Sequence, residues 1–177
     1  MKLKLFVYSI LSVFLLLSIA ACHSLPAYVI NPVTQNLTKH ERQLLSDIEH
    51  SGIQVIKHGM VFIFVIPTDC FFMKDTRELK AYRDKDIDRV AEFLNSYSHY
   101  FANPRISVTG HTDKIWIAPA RDLLSLHYAE TIATYLREDV LDSKGISVVG
   151  AGAKHPIASN QYPMGTAFNR RVVVEIK

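Results

Sequence analysis

Cysteine is scarce in this 177-residue chain, which holds only Cys22 and Cys70. So few exclude the disulfide framework on which small secreted scaffolds depend, so the core must carry stability by itself, and a chain of this length can build one. An excess of one charge is missing too. Lys and Arg number 20 against 17 Asp and Glu, with no basic run among them, which excludes nucleic acid as the partner the surface is built for. No internal repeat and no low-complexity tract occurs. Constellations for chemistry are equally thin. His111 and Asp113 stand at a metal-like spacing without an identifiable third ligand. Ser125 has His111 and His127 for company but no nucleophile-elbow motif. Neither a metal, a cofactor nor an enzymatic activity is expected.

The chain does contain one long uncharged run, Leu5 to Ala21, behind Lys2 and Lys4. Seventeen residues lie at the short limit for crossing a bilayer, which takes about 20, and the short basic start makes the segment an export signal. It ends in Ile19-Ala20-Ala21-Cys22, an aliphatic residue, two small ones and a cysteine. This pattern resembles the bacterial lipobox. The resemblance implies that residues 1–21 are a signal peptide and that Cys22 becomes the mature N-terminus, with acyl chains such as palmitate on its thiol and amine. Two or more buried chains, each CH₂ worth roughly 0.8 kcal/mol, anchor a protein stably. In enterobacterial sorting an Asp after the cysteine favours retention at the inner membrane. His23 stands there instead, which points to the periplasmic face of the outer membrane.

Residues 22–36 contain two prolines and no periodicity, and read as a lipidated tether. Fourteen extended residues after Cys22 reach at most about 50 Å. Thr38 and Glu41 have the spacing of a capping box. They open a helix through His50 with Leu44, Leu45 and Ile48 on one face and Gly52 as its stop. Residues 37–52 are assigned as a helical spacer, though the pattern itself leaves open whether this helix joins the following domain. Met60–Pro67 is a continuous β-branched and aromatic strand. Leu79–Tyr97 has Ile87, Val90, Ala91 and Leu94 at helical spacing. Arg105–Thr109 forms a short strand after Pro104. Asp122 caps a second helix that buries Leu126, Ala129, Ile132, Ala133 and Leu136. Ile146–Val149 and Arg171–Ile176 are two more strands, separated by a loop rich in Gly, Asn and Pro. Cys70, beside Phe71 and Phe72, reads as a small buried hydrophobe. The order β-α-β-α-β-β over residues 53–177 predicts an α+β domain, a mixed sheet with helices packed on one face.

The segment Ile106-Ser107-Val108-Thr109-Gly110-His111-Thr112-Asp113 resembles the strand and loop (V-x-G-H-T-D) of OmpA-like domains of the peptidoglycan-associated lipoprotein type. Leu124-Ser125 with Ala129 is similar to that family's L-S-x-x-R-A helix start. Gly150-Ala151-Gly152 with Pro156 matches its G-x-G-x-x-x-P loop, and Gly165 with Asn169-Arg170-Arg171-Val172 its closing signature. The resemblance covers residues 53–177 and implies binding to the peptide stem of peptidoglycan, often at meso-diaminopimelate. The end of that side chain is zwitterionic, so its grip needs a carboxylate and a guanidinium a few ångströms apart. In the family the Asp of G-H-T-D takes the ammonium and the Arg of L-S-x-x-R-A the carboxylate.

Asp113 and Thr112 match the first motif, whereas Tyr128 stands where the Arg belongs. Met73 replaces the Asp of the family's F-D, Thr166 an Arg of the closing signature and Trp116 a Gly. Arg121, in place of an Asn, is the candidate substitute cation. Asp113 alternatively serves only to cap its own loop. Arg170 and Arg171, at the start of the last strand, have the chemistry to grip a ligand, but suit a structural ion pair better. The apolar insert Ile115, Trp116 and Ile117 suits a protein contact or a fold-back onto the domain. Two functions therefore stay open, and the altered ligand-facing positions favour the second over the first. One is a peptidoglycan anchor using Asp113 and a substitute cation. The other is a structural component of an envelope complex, since a small lipoprotein with a degenerate domain of this kind resembles the DotK/IcmN component of type IVB secretion systems. The lipid assignment is directly testable. Cys22→Ser is expected to release the protein from membranes and block its maturation, and fractionation with unchanged membrane partitioning and mature size would refute it.

Overall fold

The computed structural model describes residues 37–114, 119–139 and 145–177. The leader, Cys22, the tether and the insert Ile115, Trp116 and Ile117 lie outside the described residues. Among the described residues no helix is long and apolar enough to cross a membrane.

The chain forms α1 (Lys39–His50), β1 (Gln54–His58), β2 (Val61–Pro67), a one-turn α2 (Thr68–Phe71), α3 (Asp84–Ser98), β3 (Ile106–His111), α4 (Pro119–Asp139), β4 (Ile146–Gly150), a short α5 (Pro163–Asn169) and β5 (Arg171–Ile176). The strands make one mixed sheet in the order β1-β2-β5-β3-β4. Only β3 and β4 run parallel, and α4 is the crossover between them. This is the α+β arrangement expected.

Strand periodicity decides which face the helices cover. Phe62, Phe64 and Ile66 of β2 pair with Ile176, Val174 and Val172 of β5, which pair in turn with Ile106, Val108 and Gly110 of β3. These side chains all lie on one face and, Gly110 aside, belong to the buried core. α3 and α4 close that face, contributing Ile87, Val90, Phe93 and Leu94, and Ala129, Ile132, Ala133 and Leu136. Phe62 meets Phe93 edge-on at 4.9 Å and Tyr97 at 4.8 Å, the geometry aromatic quadrupoles favour.

Several local expectations shift. β1 had no signal in its sequence: Gln-Val-Ile-Lys-His does not alternate cleanly, and its strand state comes from antiparallel pairing with β2. Met60 is half exposed in the turn between the two strands. α3 begins at Asp84, not Leu79. Leu79 instead bridges back to Phe72, while Asp84 and Asp86 occupy the first helical turn, where acidic groups favour the dipole. α4 begins at Pro119, so Asp122 lies inside its first turn instead of capping it. α5 falls within a segment read as loop.

α1 is more than a spacer. Its Leu44, Leu45 and Ile48, with Leu37 before it, are part of the common core. The expected capping box is present, with Thr38 N–H donating to Glu41 Oε2 at 2.7 Å and Glu41 N–H to Thr38 Oγ1 at 3.1 Å. Glu41 is only 1% exposed. Its carboxylate also accepts from Ser96 Oγ (2.9 Å) and Tyr100 Oη (3.3 Å), fastening α1 to the end of α3. Burial pushes this carboxyl upward, but the bonds from Thr38, Ser96 and Tyr100 outweigh burial and its pKa lies below the ordinary value. A lowered folded-state pKa stabilises above the unfolded value and is lost as pH falls through the folded one. Glu41→Ala is expected to cost about 1–3 kcal/mol at neutral pH. In denaturant titrations from pH 7 to 3, its deficit against the native chain should shrink once Glu41 protonates.

Candidate functional site

Three strand ends converge at one end of the sheet. Pro67 at the end of β2 and His111 at the end of β3 both pair with Arg171 at the start of β5. The residues just beyond them are thereby neighbours: Asp69 on α2, Asp113 two residues past β3, and Arg170 between α5 and β5. Thr68 N–H donating to Arg170 O at 3.0 Å fixes this junction. The first turn of α4 brings Arg121 to the same place.

The close approach of α4 is a glycine effect. A Cβ on Gly110 would lie 1.8 Å from the carbonyl oxygen of Ser125. Gly152 has φ +56°, and a Cβ there would fall 1.9 Å from Asp122 Oδ1. Ser125 is fully buried, accepts from Gly152 N–H at 3.0 Å and donates to Asp122 O at 2.6 Å. Ser125 is thus a joint between α4 and the β4 loop. Asn169 has a similar task. Its Oδ1 accepts from Ile157 N–H and Ala158 N–H, and its Nδ2 donates to Ala158 O and Asn160 Oδ1. Asn160 Oδ1 accepts from Lys114 N–H as well, tying this loop to the one that carries Asp113.

Four charged side chains alternate along the floor of the resulting cleft. Arg121 Nη1 donates to Asp113 Oδ1 at 2.9 Å, and Arg170 Nη1 donates to Asp113 Oδ2 at 2.5 Å. Arg170 also grips Asp69 through Nε (2.8 Å) and Nη2 (2.5 Å). The Asp113 side chain is 2% exposed, whereas Arg121 and Arg170 expose about a quarter of theirs, at 26% and 27%. The bonds from Asp69, ahead of those from Asp113 and against desolvation, raise the pKa of Arg170, so its charge is permanent. The cleft encloses about 1050 Å³ and opens to solvent. Phe72, Leu124 and Tyr128 form its apolar wall, with the Phe72 and Tyr128 rings 4.6 Å apart. Burial raises the Tyr128 phenol, with Asp75 and Asp69 adding to the effect, so it stays neutral.

Of the candidate ligand-binding residues, Asp113, Arg121 and Tyr128 meet on this cleft and Thr112 does not. Thr112 is buried, its hydroxyl has no partner among the described residues, and its N–H donates to Gly152 O. His111 is buried with Nδ1 3.2 Å from Lys154 O. Burial, and then the nearby Arg171 charge, depress its pKa to about 4, so it brings no charge to the site. Arg171 is buried and donates to the carbonyls of Asn169 and His155, not to a carboxylate. The ion pair anticipated at the start of β5 belongs to Arg170 alone. No group of three or more His, Cys, Asp or Glu is arranged to hold a metal among the described residues. Asp69 was missed because it belongs to no motif, and its pairing with Arg170 spans 101 residues.

A mixed sheet, helices on one face and a charged cleft at one end of it define an α+β domain with a solvent-open cleft. The chain belongs to the OmpA family, whose model matches residues 71–170. It is 28% identical to the probable lipoprotein YiaD of Escherichia coli (strain K12) over 136 residues, 77% of this chain and 60% of that protein. It is 33% identical to the peptidoglycan-binding protein ArfA of Mycobacterium bovis over 90 residues, 51% of this chain and 26% of ArfA. The chain thus spans less than two thirds of either relative. Among solved structures it resembles the cell wall anchor of the T6SS from Pseudomonas aeruginosa, with a TM-score of 0.66, 25% identity and coverage of 78% of this chain and 96% of that one.

Removing Arg170 would leave Asp113 with one guanidinium in a nearly closed site. Arg170→Met is expected to cost about 2–3 kcal/mol, below the range for a fully buried pair because the guanidinium is still partly solvated. Asp69→Asn, at a carboxylate whose side chain is 44% exposed, should cost under about 1 kcal/mol. Chemical denaturation of the two variants checks the ranking, which an equal loss would contradict.

Proposed function

We propose that this chain is a non-catalytic lipoprotein of the cell envelope, held at the outer membrane through Cys22, whose cleft grips the peptide stem of peptidoglycan. The observation that carries this reading is Asp113, buried at the cleft and held by Arg121. Tyr128 removes the guanidinium that the family resemblance implies on α4, and Arg121 supplies one two turns earlier on the same helix, 2.9 Å from the carboxylate. The permanent charge of Arg170 on the other oxygen adds a second cation. Names among the relatives, a peptidoglycan-binding protein and a cell wall anchor, support the same assignment.

A second reading makes the protein a structural component of an envelope complex, such as one of the type IVB secretion kind. Its support is narrower: the likeness to an anchor that serves a secretion system and the apolar residues Ile115, Trp116 and Ile117, placed by sequence directly after the Asp113 loop. In this reading those side chains contact partner proteins. The two assignments are compatible if the wall is the anchor point and the insert the docking point.

Co-sedimentation of the detergent-extracted full chain with purified peptidoglycan tests the main reading. The native chain should sediment, and Asp113→Ala and Arg121→Ala should each weaken binding by at least about tenfold, because truncating one member of a desolvated charge pair costs about 2 kcal/mol or more. Trp116→Ala should leave wall binding intact. A native chain that stays in the supernatant would transfer the assignment to the complex-forming reading.

A further inference from the structure

The charge bookkeeping of the cleft specifies its ligand further. Asp113 is the carboxylate that the resemblance assigns to a ligand ammonium, yet both its oxygens already accept from guanidinium groups of this chain, Oδ1 from Arg121 and Oδ2 from Arg170. Arg170 is committed elsewhere as well, with Nε and Nη2 on Asp69. A ligand ammonium reaching Asp113, whose side chain is 2% exposed, would first have to displace one of these guanidiniums and give up a charge-assisted bond that the folded chain already makes. Arg121, by contrast, spends only Nη1 on Asp113. Its Nε and Nη2 donate to no other described residue, and the side chain reaches the cleft. A guanidinium carries five N–H donors in a planar fork that matches a carboxylate. Lys74 and Lys80 on the rim bring the cleft's cations to four, against three carboxylates, Asp69, Asp75 and Asp113.

Resting on the stem-peptide assignment above, we infer that this cleft recognises a stem side chain by its terminal carboxylate alone, through Arg121, and does not read the neighbouring amine. Asp113 is then a positioning residue: it aims Arg121 and balances its charge without touching the ligand. The consequence concerns which part of the wall is bound. Cross-linking converts the side-chain amine of a stem into an amide and leaves its carboxylate free. A site that reads both groups is confined to uncross-linked stems, whereas this one takes cross-linked and uncross-linked stems alike. It rejects stems whose side-chain carboxylate has been amidated, because an amide presents no charge to the guanidinium.

The test uses three synthetic stem tripeptides ending in meso-diaminopimelate. One has the side-chain amine free, one has it acetylated, and one has the side-chain carboxylate amidated. Affinities for the full chain in detergent are measured calorimetrically. The expected result is that acetylation changes Kd by less than about threefold and amidation weakens it by at least about tenfold, the change of one lost charge-assisted contact. Arg121→Ala adds a readout that a purely structural role would not move. It should weaken binding of the free-amine tripeptide and, by releasing Asp113 Oδ1, make the remainder depend on that amine, so that acetylation now costs at least about tenfold. A native chain that loses tenfold on acetylation, or that binds the amidated tripeptide as well as the free one, would overturn the inference while leaving stem binding in place. Failure of all three tripeptides to bind would instead remove the stem-peptide assignment itself.

Discussion

A carboxylate nearly closed off from water is stable only if cations come to it, and Asp113 is such a carboxylate. Leaving one charge of this kind unpaired costs more than most single contacts contribute, so the surrounding elements are bound to deliver guanidiniums to within hydrogen-bonding distance. Arg170 arrives because β5 lies between β2 and β3, which sets the start of β5 beside the end of β3. Arg121 arrives because Gly110 lets the α4 backbone settle almost onto β3. Asp69 completes the balance by occupying the remaining face of Arg170. Sheet order, a missing side chain and a one-turn helix after β2 thus all serve one ionic arrangement.

The apolar wall of the cleft includes two positions at which the chain departs from the family pattern that it resembles. Met73 replaces an acidic residue of the family pattern and Tyr128 a basic one. Phe72, the neighbour of Met73, packs directly on Tyr128. Once the acid is gone, a guanidinium at position 128 would lose a counter-charge in a largely buried position, and an aromatic ring there gains packing instead. Two turns toward the start of α4, Arg121 lines the same cleft and remains partly solvated. The joints made by Ser125, Gly152 and Asn169 lie outside this wall.

The second buried carboxylate, Glu41, ties α1 to α3. Its bonds to Ser96 and Tyr100 and the core positions of Leu44, Leu45 and Ile48 make α1 part of the same cooperative unit as the sheet.

Much of this was legible in the sequence, for a definite reason. Patterns that repeat at 2 or 3.6 residues, such as Phe62-Phe64-Ile66 or Ala129-Ile132-Ala133-Leu136, record which face is buried, and local capping such as Thr38–Glu41 involves residues three apart. Those signals determined the fold class and the main strands and helices, while the resemblance of Gly110-His111-Thr112-Asp113 and Leu124-Ser125 to family motifs made Asp113 and Arg121 candidates. Interactions between distant residues left no such record. β1 is a strand because β2 is beside it, Leu79 leaves the helix because Phe72 pairs with it, and Asp69 joins the site because Arg170, 101 positions later, lies at the same end of the sheet. Thr112 shares a motif with Asp113, yet the chain's turn at the end of β3 buries it away from the cleft. Sequence alone determined which residues have the chemistry to bind, and only the tertiary structure decided that both oxygens of Asp113 are already taken, because ion pairing depends on separation in space and not along the chain.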